Sequence, residues 1–92
     1  MPRRRLVLYT RAGCHLCDLA KGKLDRARRE EDFDLEEIDI DRDPDLVARY
    51  GVRIPVVTVD GAFAFEHRVV IDDLLRLLRA PGYNIGNGAP ES

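Results

Sequence analysis

Cys14 and Cys17 are the only cysteines of the chain, and they stand three residues apart within YTRAGCHLCDLAKGKL. Thiols at this spacing have three possible uses. They can cycle between dithiol and disulfide, one sulfur attacking a substrate disulfide and the other resolving the mixed disulfide. They can supply part of a metal site, but His15 and His67 are the only histidines, so a closed zinc or iron-sulfur site would need a second chain or an added thiol. They can also be inert core residues, since free cysteine is among the most buried residue types. Exchange makes the sharpest structural demand. The first sulfur must lie at a helix N-terminus, where unpaired N–H groups and the helix dipole favour a thiolate, and the second one turn further along the same face.

The flanking residues predict that setting. RLVLYT, residues 5–10, is a continuous apolar run ending at a glycine-containing turn, as expected of a buried strand. Leu16, Leu19, Ala20, Leu24 and Ala27 then recur at helical spacing over residues 14–29, with basic residues on the other face and in the last turn. Cys14 is thereby the expected nucleophile and Cys17 the resolving thiol. His15 either supplies a nearby cation that favours the thiolate or is a plain exposed helix residue. Leu16 is either a core contact or part of a substrate-facing apolar rim. A C-x-x-C pair beside a β-α-β pattern in a chain with no other cysteine favours the redox use over the other two.

The remaining segments fill out the fold. FDLEEIDID, residues 33–41, alternates imperfectly and predicts a second strand. DPDLVARYG carries Asp43 as an N-cap, Pro44 at the first helical position and Gly51 as a stop. RIPVVTVDGAFAFE, residues 53–66, predicts a hairpin turning at Asp60-Gly61. Val70, Ile71, Leu74, Leu75 and Leu78 mark a last helix, with Asp72 and Asp73 at its start and Arg76 and Arg79 at its end. The order is β-α-β-α-β-β-α, an α/β fold with a mixed four-stranded sheet flanked by three helices. The first three strands are expected to run parallel, with the hairpin as an antiparallel edge. Residues 1–80 form the expected domain and residues 81–92 a polar tail.

Composition narrows the partners. A chain of 92 residues, 45% hydrophobic and 35% charged, has room for one core. Its formal charge of -2 gives no field that would gather nucleic acid or an anionic membrane, although ten of its seventeen acidic residues fall between Glu30 and Asp45. The apolar run behind Arg3 to Arg5 is too short for a signal-peptide core, and no stretch reaches the ~20 apolar residues of a membrane span. A monomer in the cytoplasm is expected, where closely spaced cysteines are catalytic or metal-binding more often than structural.

The Y-T-R-A-G-C-H-L-C opening, the element order, the I-P-V-V run about forty residues later and the D-G hairpin together resemble the thioredoxin-fold superfamily, and within it the glutaredoxin-like members. The resemblance spans residues 5–79. It implies a thiol-disulfide oxidoreductase with no bound cofactor, acting on protein disulfides or glutathione mixed disulfides. Electrons would come from glutathione as co-substrate or from a thioredoxin-type reductase. It also implies a cis Ile54-Pro55 bond lying against the cysteine pair, with the Ile54 backbone offered to an extended thiol substrate. By the same resemblance Arg11 would clasp a glutathione carboxylate, Arg53 would be a second clamp, and Asp72, or less directly Asp73, would contact the glutamyl end. Two features depart from the pattern. His15-Leu16 replaces a proline-aromatic pair, and Val69-Val70 replaces the glycine pair that lets glutathione approach the backbone. Two alternatives to the enzyme remain at this point: metal or iron-sulfur binding across a dimer, and a binding module that has lost turnover.

Overall fold

The computed structural model describes residues 4–79, so the polar tail read from residues 81–92 lies outside the described residues. The elements are β1 (Arg5–Thr10), α1 (His15–Glu30), β2 (Asp34–Asp39), a 3-10 turn (Ile40–Arg42), α2 (Pro44–Tyr50), β3 (Val56–Val59), β4 (Ala62–Glu66) and α3 (Ile71–Arg79). They form one mixed sheet in the order β2-β1-β3-β4. This is the thioredoxin fold that the sequence predicts.

Strand alternation sorts the two faces of the sheet. Leu6 and Leu8 of β1 with Val57 and Val59 of β3 meet Ala20, Leu24 and Ala27 of α1 and Leu74 of α3 in one buried cluster. Residues of the opposite parity face α2, where Tyr9 packs on Tyr50 with ring centroids 4.4 Å apart. Burial raises the Tyr9 hydroxyl above its ordinary pKa, and Tyr50 adds to this. Cys17, Ala20, Leu24 and Ala27 are the buried stripe of α1. Leu16 and Leu19, which the periodicity assigns to the same face, are 48% and 50% exposed. They flank the stripe at the end of α1 that carries the cysteines.

Strand direction departs from expectation. β2 is parallel to β1, but β3 is antiparallel to it, so the hairpin is one of two antiparallel pairs. The cause is the connection. The seven residues of α2 span only about 10 Å, half of the roughly 20 Å needed to return along a six-residue strand. β3 therefore starts at the end of the sheet where β2 stops. β2 itself ends two residues early, because the Asp39 carboxylate accepts the Asp41 N–H at 2.9 Å and turns the chain, which buries Ile40.

Local signals are met elsewhere. The Asp43 carboxylate caps α2 by accepting the Asp45 N–H at 2.9 Å, and Asp60 and Gly61 take φ values of 51° and 85°, as a tight hairpin turn requires. Gly22 lies exposed in α1, and a Cβ built there meets nothing within 4 Å. Gly22→Ala is therefore expected to stabilise the domain by about 1 kcal/mol, read as a higher urea midpoint at unchanged m-value. An unchanged midpoint would show that helix propensity does not limit α1.

Candidate active site

The cysteines sit where β1 gives way to α1. Gly13, at φ 77°, makes the turn, and the Cys14 N–H donates to the Arg11 carbonyl at 3.3 Å. Cys14 is the N-cap of α1 in an extended conformation, and its carbonyl accepts the Asp18 N–H at 3.2 Å. The two cysteines form a disulfide with Cα atoms 5.2 Å apart.

Their environments differ. Cys14 is half-buried, whereas Cys17 is 2% exposed and belongs to the buried stripe of α1. The Cys14 Sγ accepts the Cys17 N–H at 3.1 Å. That N–H is one of the unpaired donors of the helix start, and it serves a thiolate at Cys14 better than a neutral thiol. The Cys17 sulfur has no such donor among the described residues.

Sheet register brings the proline loop to the same place. Tyr9 pairs with Val56, so Thr10 and Pro55 come opposite each other and the loops beyond them leave the sheet side by side. Ile54-Pro55 is cis, and Pro55 is buried. His67, at φ 68°, donates its N–H to the carbonyls of Pro55 at 2.8 Å and Arg53 at 3.2 Å, tying this loop to the end of β4. Of the Ile54 backbone groups expected to face substrate, the N–H already donates to the Tyr50 carbonyl at 3.1 Å. The Ile54 carbonyl accepts no hydrogen bond among the described residues, so it is the group left to offer.

Two basic residues at this end of the sheet, Arg11 and Arg53, have carboxylate partners of their own. Arg11 grips Asp41 through two nitrogens: Nη2 donates to Oδ1 at 2.7 Å, and Nε donates to Oδ1 at 3.0 Å and to Oδ2 at 3.1 Å. This hydrogen bonding holds the Arg11 guanidinium above its ordinary pKa and the Asp41 carboxyl below its own. Arg53 donates through Nε to Glu66 at 2.8 Å. Asp41 and Glu66 are the participants that sequence reasoning missed. Asp41 meets Arg11 because the parallel register sets Thr10 against Asp39, placing both residues of the pair just past the strand ends.

Other expected site residues are less engaged. His15 is exposed in the first turn of α1 and makes no hydrogen bond or ion pair among the described residues. Asp72 is exposed in the first turn of α3, on a shallow groove shared with Leu75, Arg76 and Arg79, while Asp73 pairs with Arg76 at 2.9 Å. Val69 is buried in the core and its carbonyl accepts Lys23 Nζ at 3.0 Å, so this backbone is closed where a glycine pair would leave it open. Leu16 and Val70, 48% and 40% exposed, are apolar surface and not core. Among the described residues no group of three or more His, Cys, Asp or Glu side chains is placed to hold a metal ion, and no helix is long and apolar enough to cross a membrane.

Known proteins are similar to this chain in sequence and fold. The model of the glutaredoxin-like domain (DUF836) matches residues 5–79. An uncharacterized protein of Mycobacterium tuberculosis is 39% identical over 66 residues, covering 66% of this chain and 68% of its own. The solution structure of a Nitrosomonas europaea protein superposes with a TM-score of 0.75 at 30% identity, covering 85% of this chain and 94% of that one. The glutaredoxin-like NrdH-redoxin of Escherichia coli gives a TM-score of 0.56 at 31% identity, covering 84% and 99%. A family model that spans the whole described fold, together with a disulfide-forming pair at the helix start, assigns the chain to the glutaredoxin-like domain family as a redox protein of the thioredoxin superfamily.

Proposed function

We propose that the protein is a thiol-disulfide oxidoreductase working by dithiol exchange. In the reduced protein the Cys14 thiolate attacks a substrate disulfide, forms a mixed disulfide and expels one substrate thiolate, which takes a proton from solvent. Cys17 then loses its proton and attacks the Cys14 sulfur. The Cys14–Cys17 disulfide forms and the second substrate thiol leaves, so two electrons have passed to the substrate. A dithiol reductase of the thioredoxin-reductase type, or two glutathione molecules, returns them.

The carrying observation is the unequal setting of the two sulfurs: Cys14 half-buried at the helix start with an N–H donor, Cys17 buried one turn behind it. Leu16 and Val70 supply apolar rim for a protein disulfide, and the Ile54 carbonyl can accept from its backbone. The Escherichia coli relative is described as having a thioredoxin-like activity profile, which supports a reductase as donor.

Trapping tests the assignment. The Cys17→Ser protein, reduced and mixed with a disulfide, is expected to accumulate an adduct on Cys14, read by intact-protein and peptide mass spectrometry. A Cys14 that stays unmodified while the same disulfide reacts with a free thiol under those conditions refutes it.

A further inference from the structure

We propose that Asp41 is a specificity-determining residue that acts through Arg11: by filling its guanidinium fork, Asp41 turns the protein away from carboxylate-bearing thiols such as glutathione and toward neutral or basic disulfides. This rests on the oxidoreductase function proposed above.

Arg11 leaves the same turn as Cys14, three residues before it, and its carbonyl accepts the Cys14 N–H. A guanidinium there would select substrates with carboxylates, because its parallel N–H donors match a carboxylate in geometry as well as charge. In this protein Asp41 already occupies that fork through Nε and Nη2. An incoming carboxylate must displace Asp41 or approach a pair with no net charge.

A second pairing repeats the device. Arg53, in the loop opposite, gives its Nε to Glu66. Both arginines that the resemblance makes clamps for an anionic substrate are thus held by carboxylates of the chain itself. The Val69 carbonyl is likewise taken, by Lys23. Asp41 is half exposed and Arg11 is about one-third exposed, so the pair sits at the surface, open to an incoming substrate, and not in the core.

The test compares three disulfides in single turnover with pre-reduced protein and no other reductant. Each reaction converts the dithiol and one disulfide into the protein disulfide and two thiols. Glutathione disulfide carries more carboxylates than ammonium groups, hydroxyethyl disulfide is neutral, and cystamine is cationic. The readout is the ratio of the glutathione rate to the neutral rate, in which any change in the reactivity of Cys14 itself cancels. Asp41→Asn is expected to raise that ratio about threefold to fivefold at low salt, the span of an exposed ion pair, and to lower the cystamine ratio. In the double variant Arg11→Gln/Asp41→Asn the glutathione gain should disappear. Asp41→Ser, which also removes the carboxylate, should match Asp41→Asn. An unchanged ratio in both Asp41 variants, or an equal gain in the double variant, overturns the inference. A wild-type dithiol that reduces none of the three disulfides overturns the oxidoreductase function, and this inference with it.

Discussion

Cys14→Ser is expected to lower disulfide reduction on the order of 10³-fold or more, the largest effect of any single substitution in this protein. The hydroxyl occupies nearly the same volume, but an alcohol at neutral pH has almost none of the anionic character that makes a thiolate a nucleophile. The Cys17 N–H would still donate to the serine oxygen, so the helix start should keep its cap and the fold its stability. Loss of activity therefore separates cleanly from loss of structure. Insulin or hydroxyethyl disulfide reduction with an excess of dithiol donor measures it, beside a urea unfolding curve. A Cys14→Ser protein that reduces either disulfide at the wild-type rate would exclude the mechanism. Cys17→Ser behaves differently, because its block comes after the first covalent step and leaves the mixed disulfide standing.

Phe33→Ala is expected to have the largest effect on stability, about 3–5 kcal/mol. Phe33 is the largest of the fully buried side chains and sits where α1 hands over to β2. Its ring packs in the cluster with Leu6, Leu8 and Leu24, the Arg28 guanidinium carbon stands 5.8 Å from the ring centroid, and Arg28 Nε donates to the Phe33 carbonyl at 3.0 Å. Deleting the ring removes transfer free energy and leaves a cavity that a sheet and two helices cannot close. A domain of this size has a total stability of about 5–15 kcal/mol, so the loss is a large share of it. With an m-value of about 1.5 kcal/mol/M, the urea midpoint should fall by roughly 2–3 M. A fall below about 0.5 M would mean that the core re-forms around alanine. Reduced and oxidised protein should show the same fall, since a Cys14–Cys17 bond closes only a short loop and adds little by loop entropy.

Both expectations trace to features of different origin. The position of Cys14 at a helix start was readable from neighbours within a few residues: a buried strand run, a glycine turn and a helical period. The caps at Asp43-Pro44 and the turn at Asp60-Gly61 were readable for the same reason, because they are set by side-chain-to-backbone bonds and φ preferences that act over two to four residues. The resemblance added the cis Ile54-Pro55 bond, which local statistics would have made trans.

The sequence by itself thus determined the elements, their order and the position of the cysteine pair that forms the disulfide. Tertiary structure alone decided the direction of β3, the exposure of Leu16 and Leu19, the loss of the Ile54 N–H to Tyr50, and the partners of Arg11 and Arg53. Strand direction depends on how far a short connection can travel, and burial at a helix end depends on which neighbour covers it. The ion pairs depend on which carboxylates the fold brings within hydrogen-bond reach, Asp41 for Arg11 and Glu66 for Arg53. Arg11 and Asp41 are 30 residues apart, and no local rule links them; they meet because β1 and β2 run parallel and end together.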